Sequence, residues 1–308
     1  MPIVPASLSD NRARGDAEDL RSAPKPSWLK VRLPAHPAYF QVSEIVRRSD
    51  LHTICQSARC PNVGSCWAAR TATFLILGDI CTRRCAFCAV KKGAPVAPRR
   101  DEPGQVAEAV AALGLKYTVI TSVTRDDLPD GGASAFARTI DAIRVRNPAV
   151  RIEVLVPDFQ GDWKALADVI GARPDVLNHN LETTENRYPL INRPPENYRR
   201  SLKLLGAAKR MGVTTKSGLM VGLGEGKDEI IRTLADLRDV DCDLLTLGQY
   251  LRPSRDNAPV SRYVPPEEFE IMKTRALAFG FKGVEAGPLV RSSYRAHEMW
   301  GALPKGAA

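Results

Sequence analysis

The sequence is poor in several features that would place it at once. No stretch of its 308 residues approaches the ~18 consecutive apolar residues of a membrane-spanning helix, so no membrane association is expected. Aromatic residues make up only 6% and do not interleave with basic ones, which argues against a nucleic-acid surface despite a net charge of +9. An acidic partner or an ordinary solvated surface accounts for that charge. The first thirty residues lack the apolar run of a secretory signal. Asp10, Asp16, Glu18 and Asp19 among them argue against an organellar transit peptide, and a cytoplasmic location is expected. Pro2, Pro5, Pro24 and Pro26 mark residues 1–27 as a flexible arm. Without a repeat, a low-complexity tract or a heptad pattern, a monomer is expected.

What the chain does have is a concentration of cysteine. Seven cysteines cannot all pair, and six of them fall between Cys55 and Cys88. In a chain without an export signal this reads as metal binding rather than a disulfide framework. Cys81-Thr-Arg-Arg-Cys85-Ala-Phe-Cys88 has the spacing C-x3-C-x2-C. Three thiolates on one loop can wrap a single cubane cluster and leave one iron open to a substrate or cofactor. A zinc knuckle is the competing reading of Cys85 and Cys88. Tetrahedral closure would need a fourth ligand, and no Cys or His follows within twenty residues. Cys55, Cys60 and Cys66 form a second triad, C-x4-C-x5-C, upstream of the first expected strand. Six thiolates would overfill one site, so a second cluster is the economical reading. Cys242 opens an apolar stretch and reads as a buried, inert thiol.

Hydrophobic residues make up 44%, enough for a sizeable core. Strands are expected over residues 73–77, 117–123, 152–156, 176–181, 214–221 and 244–247, from their β-rich apolar runs. Helices are expected between and after them, over 103–115, 133–145, 163–170, 196–211, 228–237 and 267–279. Crossovers of this length return each strand in the same direction. The expected fold is α/β, an incompletely closed parallel (β/α)6 barrel in preference to a doubly wound sheet. An N-terminal cluster-binding extension (28–70) precedes the barrel (71–251), and a C-terminal extension (252–308) follows it. In such barrels the chemistry sits on loops after the strand ends. Residues 81–88, 125–132, 179–183 and 222–225 fall there.

Candidate cofactor contacts follow from those positions. Thr124 and Asp126 lie on the loop after the second strand, where Asp126 and Asp127 can equally cap the next helix. Asn178, Asn180 and Glu182 alternate along the fourth strand and so share a face; a satisfied polar cluster is the plainer alternative. His179 points the other way and reads as a packed or capping histidine. Lys216 lies on the fifth strand, with Gly222 and Glu225 just beyond it. A dinucleotide fingerprint is excluded there, because Lys227 stands where the third glycine belongs. Arg199, Arg200, Lys203, Lys209 and Arg210 give helix 196–211 a basic face, ordinarily just solvated.

C-x3-C-x2-C after a first barrel strand resembles the radical S-adenosylmethionine enzymes. The added C-x4-C-x5-C, with Arg291-Ser292-Ser293-Tyr294 near the end, is similar to the lipoyl synthase family in particular. The resemblance spans residues 28–294 and includes 121–132, 156–159, 178–183 and 249–253. It implies two [4Fe-4S] clusters and S-adenosylmethionine, whose amino and carboxylate groups chelate the open iron of the first cluster. Reductive cleavage then gives a 5′-deoxyadenosyl radical. The implied reaction inserts two sulfur atoms at C6 and C8 of an octanoyl group on a lysine of a lipoyl carrier domain. The second cluster is the implied sulfur donor. From spacing alone Ser292 and Ser293 read as a turn or cap. The resemblance instead makes Ser293 the fourth ligand of the Cys55/Cys60/Cys66 cluster, a hard ligand that leaves readily. The implied catalytic residues are Ser293 and Arg291. Gly222 and Glu225 resemble the motif beside the adenine, and Arg193 and Arg291 are candidate anchors for substrate peptide or a cofactor carboxylate.

Implied partners are octanoylated carrier domains (2-oxoacid dehydrogenase E2 subunits and the glycine cleavage H protein), an electron donor such as ferredoxin or flavodoxin, and a cluster-assembly carrier. An acidic carrier would give the basic helix a docking role. The alternative function is another two-cluster radical sulfur transferase of methylthiotransferase type. A zinc-stabilised binding module is the reading from a different class.

Overall fold

The computed structural model describes residues 25–303 apart from 32 and 70. The arm expected over 1–27 therefore lies outside the described residues as far as residue 24. Helix α1 (Pro37–Arg48) opens on a proline at its first position, with His36 Nδ1 accepting from Ala38 N at 3.2 Å. Strand β1 (His52–Thr53), short helix α2 (Ile54–Ser57) and helix α3 (Val63–Ala68) carry the first cysteine triad. Then come β2 (Thr73–Ile76), the two-residue strands β3 (Ile80–Cys81) and β4 (Lys91–Lys92), α4 (Glu102–Leu113) and β5 (Tyr117–Ser122). The alternation continues with α5 (Ala133–Arg146), β6 (Arg151–Leu155), α6 (Trp163–Gly171), β7 (Val176–Asn178), α7 (Glu196–Arg210) and β8 (Thr214–Val221). It ends with α8 (Lys227–Asp239), β9 (Leu244–Gln249), α9 (Pro266–Ala278), β10 (Gly283–Gly287) and α10 (Ala296–Gly301).

Eight strands form one sheet in the order β1-β2-β5-β6-β7-β8-β9-β10. Every pair is parallel except β1 with β2. The edge strands do not pair with each other, so the barrel stays open, as expected. All six expected strands are present. A seventh parallel strand, β10, lies within the expected C-terminal extension and pairs with β9 through Gly283 to Gly287. With two glycines, and only Val284 and Ala286 buried, it has a weak apolar signal.

Strand β7 is shorter than expected. His179 N donates to Lys216 O and Glu182 N to Gly218 O, so three residues here oppose two on β8. Pairing breaks after Asn178 and resumes in a single bridge at Glu182, whose φ is 72°. Such a bulge re-aims the side chains beyond it.

Two apolar cores cover the outside of the sheet. Val106, Val110, Phe136, Ile140 and Leu166 of α4 to α6 pack on Phe74, Ile152 and Val154. Leu202, Leu205, Ile230, Leu234 and Phe269 of α7 to α9 pack on Leu219, Leu245 and Leu247. On the inner face, α10 plugs the base: Ala296 meets Tyr117 and Val119, and Met299 meets Val176 and Leu244.

Above that plug lies a buried polar layer. Glu153 accepts from Lys216 Nζ at 3.0 and 3.2 Å, from Tyr117 Oη at 2.6 Å and from Asn178 Nδ2 at 3.1 Å. Both ionic side chains are 1% exposed. Removing one partner of such a pair strands a charge in a medium that cannot solvate it. Lys216→Met should therefore lower stability by about 3–5 kcal/mol in anaerobic urea unfolding. The Glu153→Gln/Lys216→Met double variant should lose less than the single one. A single variant as stable as the parent would contradict this.

Candidate active site

The loop 81–88 leaves the barrel just after β2. Its two ends are pinned together, since Ile80 and Cys81 pair with Lys91 and Lys92, and Gly93 N donates to Cys81 O at 3.1 Å. The rest is held by the ends of later strands. After β5, Thr124 O accepts from Thr82 N and Thr82 Oγ1, and Asp126 accepts two bonds from Arg83 at 2.7 and 2.8 Å. After β6, Asp158 accepts from Arg83 at 2.5 Å and from Arg200 at 3.2 Å. After β7, Ile191 O accepts from Ala86 N, and Asn192 Nδ2 donates to Arg84 O. After β9, Asn257 Nδ2 donates to Ala86 O and Cys88 O. Three thiols thus sit on a loop fixed by four strand ends.

The sulfurs are met by donors. Cys81 Sγ accepts from Arg83 N at 3.4 Å and Thr124 N at 3.3 Å, and Cys85 Sγ accepts from Arg193 Nε at 3.4 Å. Bonds of this kind orient a sulfur and support it as a metal ligand.

The second triad comes from the segment around α2 and α3, and the far end of the chain closes on it. Asn62 Nδ2 donates to Leu289 O at 2.6 Å, across 227 positions. Residues 288–295 then cross the barrel mouth against β9. Here Gly248 is obligatory, because a Cβ would overlap Val290 O. Ser292 Oγ exchanges hydrogen bonds with the Asn180 side chain at 2.7 and 3.0 Å.

All of this encloses one cavity of about 490 Å³. Cys55, Cys60 and Cys66 line it, as do Cys81, Cys85 and Cys88, with Ser292 and Ser293. Of the other expected site residues, Thr124, Asn180, Glu182, Arg193 and Arg291 also line it. Asp126, Asn178, Lys216, Gly222 and Glu225 are not brought to the cavity. Asp126 is spent on Arg83, and Asn178 and Lys216 sit one layer deeper on Glu153. Glu225 folds back on its own turn, accepting from Gly222 N at 2.6 Å and Leu223 N at 2.8 Å. A Cβ at Gly222 would overlap the Gln249 side chain, so this turn is a packing device.

The helix α5 is capped by Asp130, which accepts from Gly132 N and Ser134 N, leaving Asp126 and Asp127 to Arg83 and Arg125. His179 is the packed histidine expected, bonded to Val156 O and Ser201 Oγ, and burial lowers its pKa to about 4. The basic face of α7 is largely neutralised: Arg199 pairs with Glu185, Arg200 with Asp158 and Lys209 with Asp243. Arg83, Asp158 and Asn62 are residues that motif spacing did not single out, since their partners are remote in sequence.

Among the described residues, no group of three His, Cys, Asp or Glu is arranged to hold a single metal ion. A cubane spreads its thiolates over several irons, more widely than one ion does. The cavity's donor set, soft thiols with N–H groups aimed at them, fits a cluster of that type. Burial pushes the Cys88 thiol up to about 11 and the Cys66 thiol up to about 12, with the neighbouring thiols adding to both. Burial raises Cys55 and Cys60 as well. Arg291 lies beside Cys60, its charge disfavoured by burial and favoured by that thiol.

Residues 75–237 match the Radical SAM superfamily. A lipoyl synthase from Rubrobacter xylanophilus is 54% identical over 285 residues, 92% of this chain and 88% of that one. Another, from Koribacter versatilis, is 52% identical over 92% of this chain and 93% of its own. The chain belongs to the lipoyl synthase family. It is therefore an enzyme of the radical S-adenosylmethionine type, a superfamily that implies a [4Fe-4S] cluster and S-adenosylmethionine. Solved structures agree at the level of fold. SuiB from Streptococcus suis bound to S-adenosylmethionine superposes with a TM-score of 0.53 at 10% identity, covering 73% of this chain and 52% of that one. HydG, a maturase of the [FeFe]-hydrogenase, gives 0.53 at 13% identity, covering 80% and 63%. No helix among the described residues is long and apolar enough to cross a membrane.

The raised thiols set a pH dependence for the metal-free protein. A thiol with a pKa near 12 is protonated at neutral pH, and its thiolate fraction grows with pH until that value. Alkylation of Cys66, followed by peptide mass mapping, should accelerate by about tenfold per pH unit between pH 7 and 10. A plateau below pH 9 would contradict the burial assigned to this thiol.

Proposed function

We propose that this lipoyl synthase family member inserts sulfur at C6 and C8 of an octanoyl group borne on a lysine of a lipoyl carrier domain. The observation that carries it is the shared cavity, where two cysteine triads and the Ser292–Ser293 pair face one space. Cys81, Cys85 and Cys88 would hold one [4Fe-4S] cluster. Cys55, Cys60, Cys66 and Ser293 would hold the second. When bound, these clusters and S-adenosylmethionine supply a carbon-centred radical able to take hydrogen from unactivated carbon, and the sulfur that replaces it.

The chain's own residues then have definable tasks. Leu75, Leu155, Met220 and Val290 give the cavity apolar wall suited to an acyl chain. Asn180 holds Ser292 and thereby fixes the position of Ser293 next to it. Thr124, Asn180 and Glu182 are the polar groups left to contact S-adenosylmethionine. Arg291 is half-buried beside Cys60 and its guanidinium donates to the Val290 carbonyl rather than to a carboxylate, so an anionic cluster there would balance its charge.

Charge supports an acidic partner. Lys25, Arg59, Arg193, Arg252 and Arg291 line the cavity against a single carboxylate, Glu182. This suits acidic carrier domains such as E2 subunits and the H protein, and docking falls to the mouth rather than to α7. Electrons would come from a ferredoxin or flavodoxin, and a cluster-assembly carrier would rebuild the second cluster, all in the cytoplasm with the enzyme as a monomer. A methylthiotransferase-like activity leaves the inward-facing Ser292 and Ser293 without a task.

Reconstituted protein given S-adenosylmethionine, a reductant and an octanoyl-lysine peptide should yield peptide with two added sulfurs by mass spectrometry. Formation of 5′-deoxyadenosine without sulfur addition would sink the substrate assignment. Ser293→Ala should reduce sulfur insertion by about tenfold or more while 5′-deoxyadenosine still forms. Full insertion by that variant would remove Ser293 from the second cluster.

A further inference from the structure

Among the described residues, Arg193 is the one side-chain cation that hydrogen-bonds a cysteine sulfur of the loop 81–88. Its placement is deliberate in structural terms. Residues 188–193 wrap that loop: Ile191 O accepts from Ala86 N, and Asn192, at φ 56°, turns the chain while its side chain donates to Arg84 O. Arg193 N is itself fixed by Tyr188 O at 3.0 Å. The guanidinium then lies with Nε 3.4 Å from Cys85 Sγ and its carbon 5.3 Å from the centre of the Phe87 ring. Glu182 is the nearest carboxylate, at 3.9 Å, beyond hydrogen-bond range. Arg83, the half-buried arginine on the loop itself, is neutralised by Asp126 and Asp158. Arg193 therefore divides its charge between a long ion pair with Glu182 and the one sulfur it hydrogen-bonds.

We propose that Arg193 sets the reduction potential of the cluster held by Cys81, Cys85 and Cys88, by donating a charged N–H···S hydrogen bond to Cys85. This rests on the assignment of that triad to the radical-generating cluster. Uptake of one electron adds one negative charge to the cluster, and no proton has to move. A fixed cation bonded to a ligating sulfur stabilises the reduced state more than the oxidised one, which raises the potential. The low-dielectric surroundings strengthen the effect, and the Phe87 face and the long Glu182 pair hold the guanidinium against Cys85. Arg193 is on this account a tuning residue, acting through Cys85.

The test is an EPR-monitored redox titration of the two-cluster protein without S-adenosylmethionine. Cys85→Ala first identifies the signal belonging to this site. If both signals survive in Cys85→Ala, the ligand assignment itself fails. In Arg193→Met the Cys85-dependent signal should titrate with a reduction equilibrium at least about tenfold less favourable, a shift of 59 mV or more to the negative for one electron. The other cluster, in the same molecule, should not move. Arg193→Lys keeps the charge without the Nε–H donor and should shift by less than Arg193→Met. A loaded Arg193→Met protein with an unchanged potential, or equal shifts in both clusters, overturns the inference. Should the variants fail to load iron, the wild-type protein labelled with 15N-arginine decides. A hyperfine coupling from an arginine nitrogen in the reduced cluster signal is expected, and its absence would be contrary.

Discussion

The structure turns on how the loop 81–88 is held. Three thiols must stay apart and face inward on a stretch with almost no regular secondary structure. The solution is to tie the loop to the ends of β5, β6, β7 and β9 through Thr124, Asp126, Asp158, Ile191 and Asn257. Each tie is worth only about 0.5–3 kcal/mol on its own. Together they make the loop's shape a property of the whole barrel mouth. The Arg83 fork, bonded to two carboxylates from different strands, is the centre of this arrangement.

The chain's two ends complete the same space. The N-terminal segment brings the second triad over the mouth, and the C-terminal segment passes from β10 across Gly248 to Ser292 and then to the α10 plug. An open barrel makes this possible, because an edge that does not pair leaves room for the chain to enter from the side. The buried Glu153–Lys216 layer separates the plugged base from the reactive cavity above. Function thus sits between a polar floor and a roof assembled from both termini.

Much of this was legible in the sequence. Spacing alone marked both triads, and period and composition marked six strands in the right order. What remained hidden was depth and distance. Alternation put Asn178, Asn180 and Glu182 on one face, but only the bulge after Asn178 shows why the first is a layer below the others. Lys216 shares the inward face of Gly218, yet it meets Glu153 of another strand. Glu225 looked outward to a ligand and instead closes its own turn. Arg83 finds Asp126 and Asp158 43 and 75 positions away, pairings that no local pattern encodes. Strand β10 was missed because glycine and alanine carry too little apolar signal.

The central claim is that two clusters share one cavity, each on its own cysteine triad. The most direct measurement is Mössbauer and EPR spectroscopy on the fully reduced protein, beside the variants with Cys55, Cys60 and Cys66, or Cys81, Cys85 and Cys88, all changed to Ala. The account predicts that each triple variant loses one cluster's worth of iron, and that a magnetic interaction between the reduced clusters vanishes in both. Two clusters that do not interact, or a single cluster that survives either triple substitution, would contradict it.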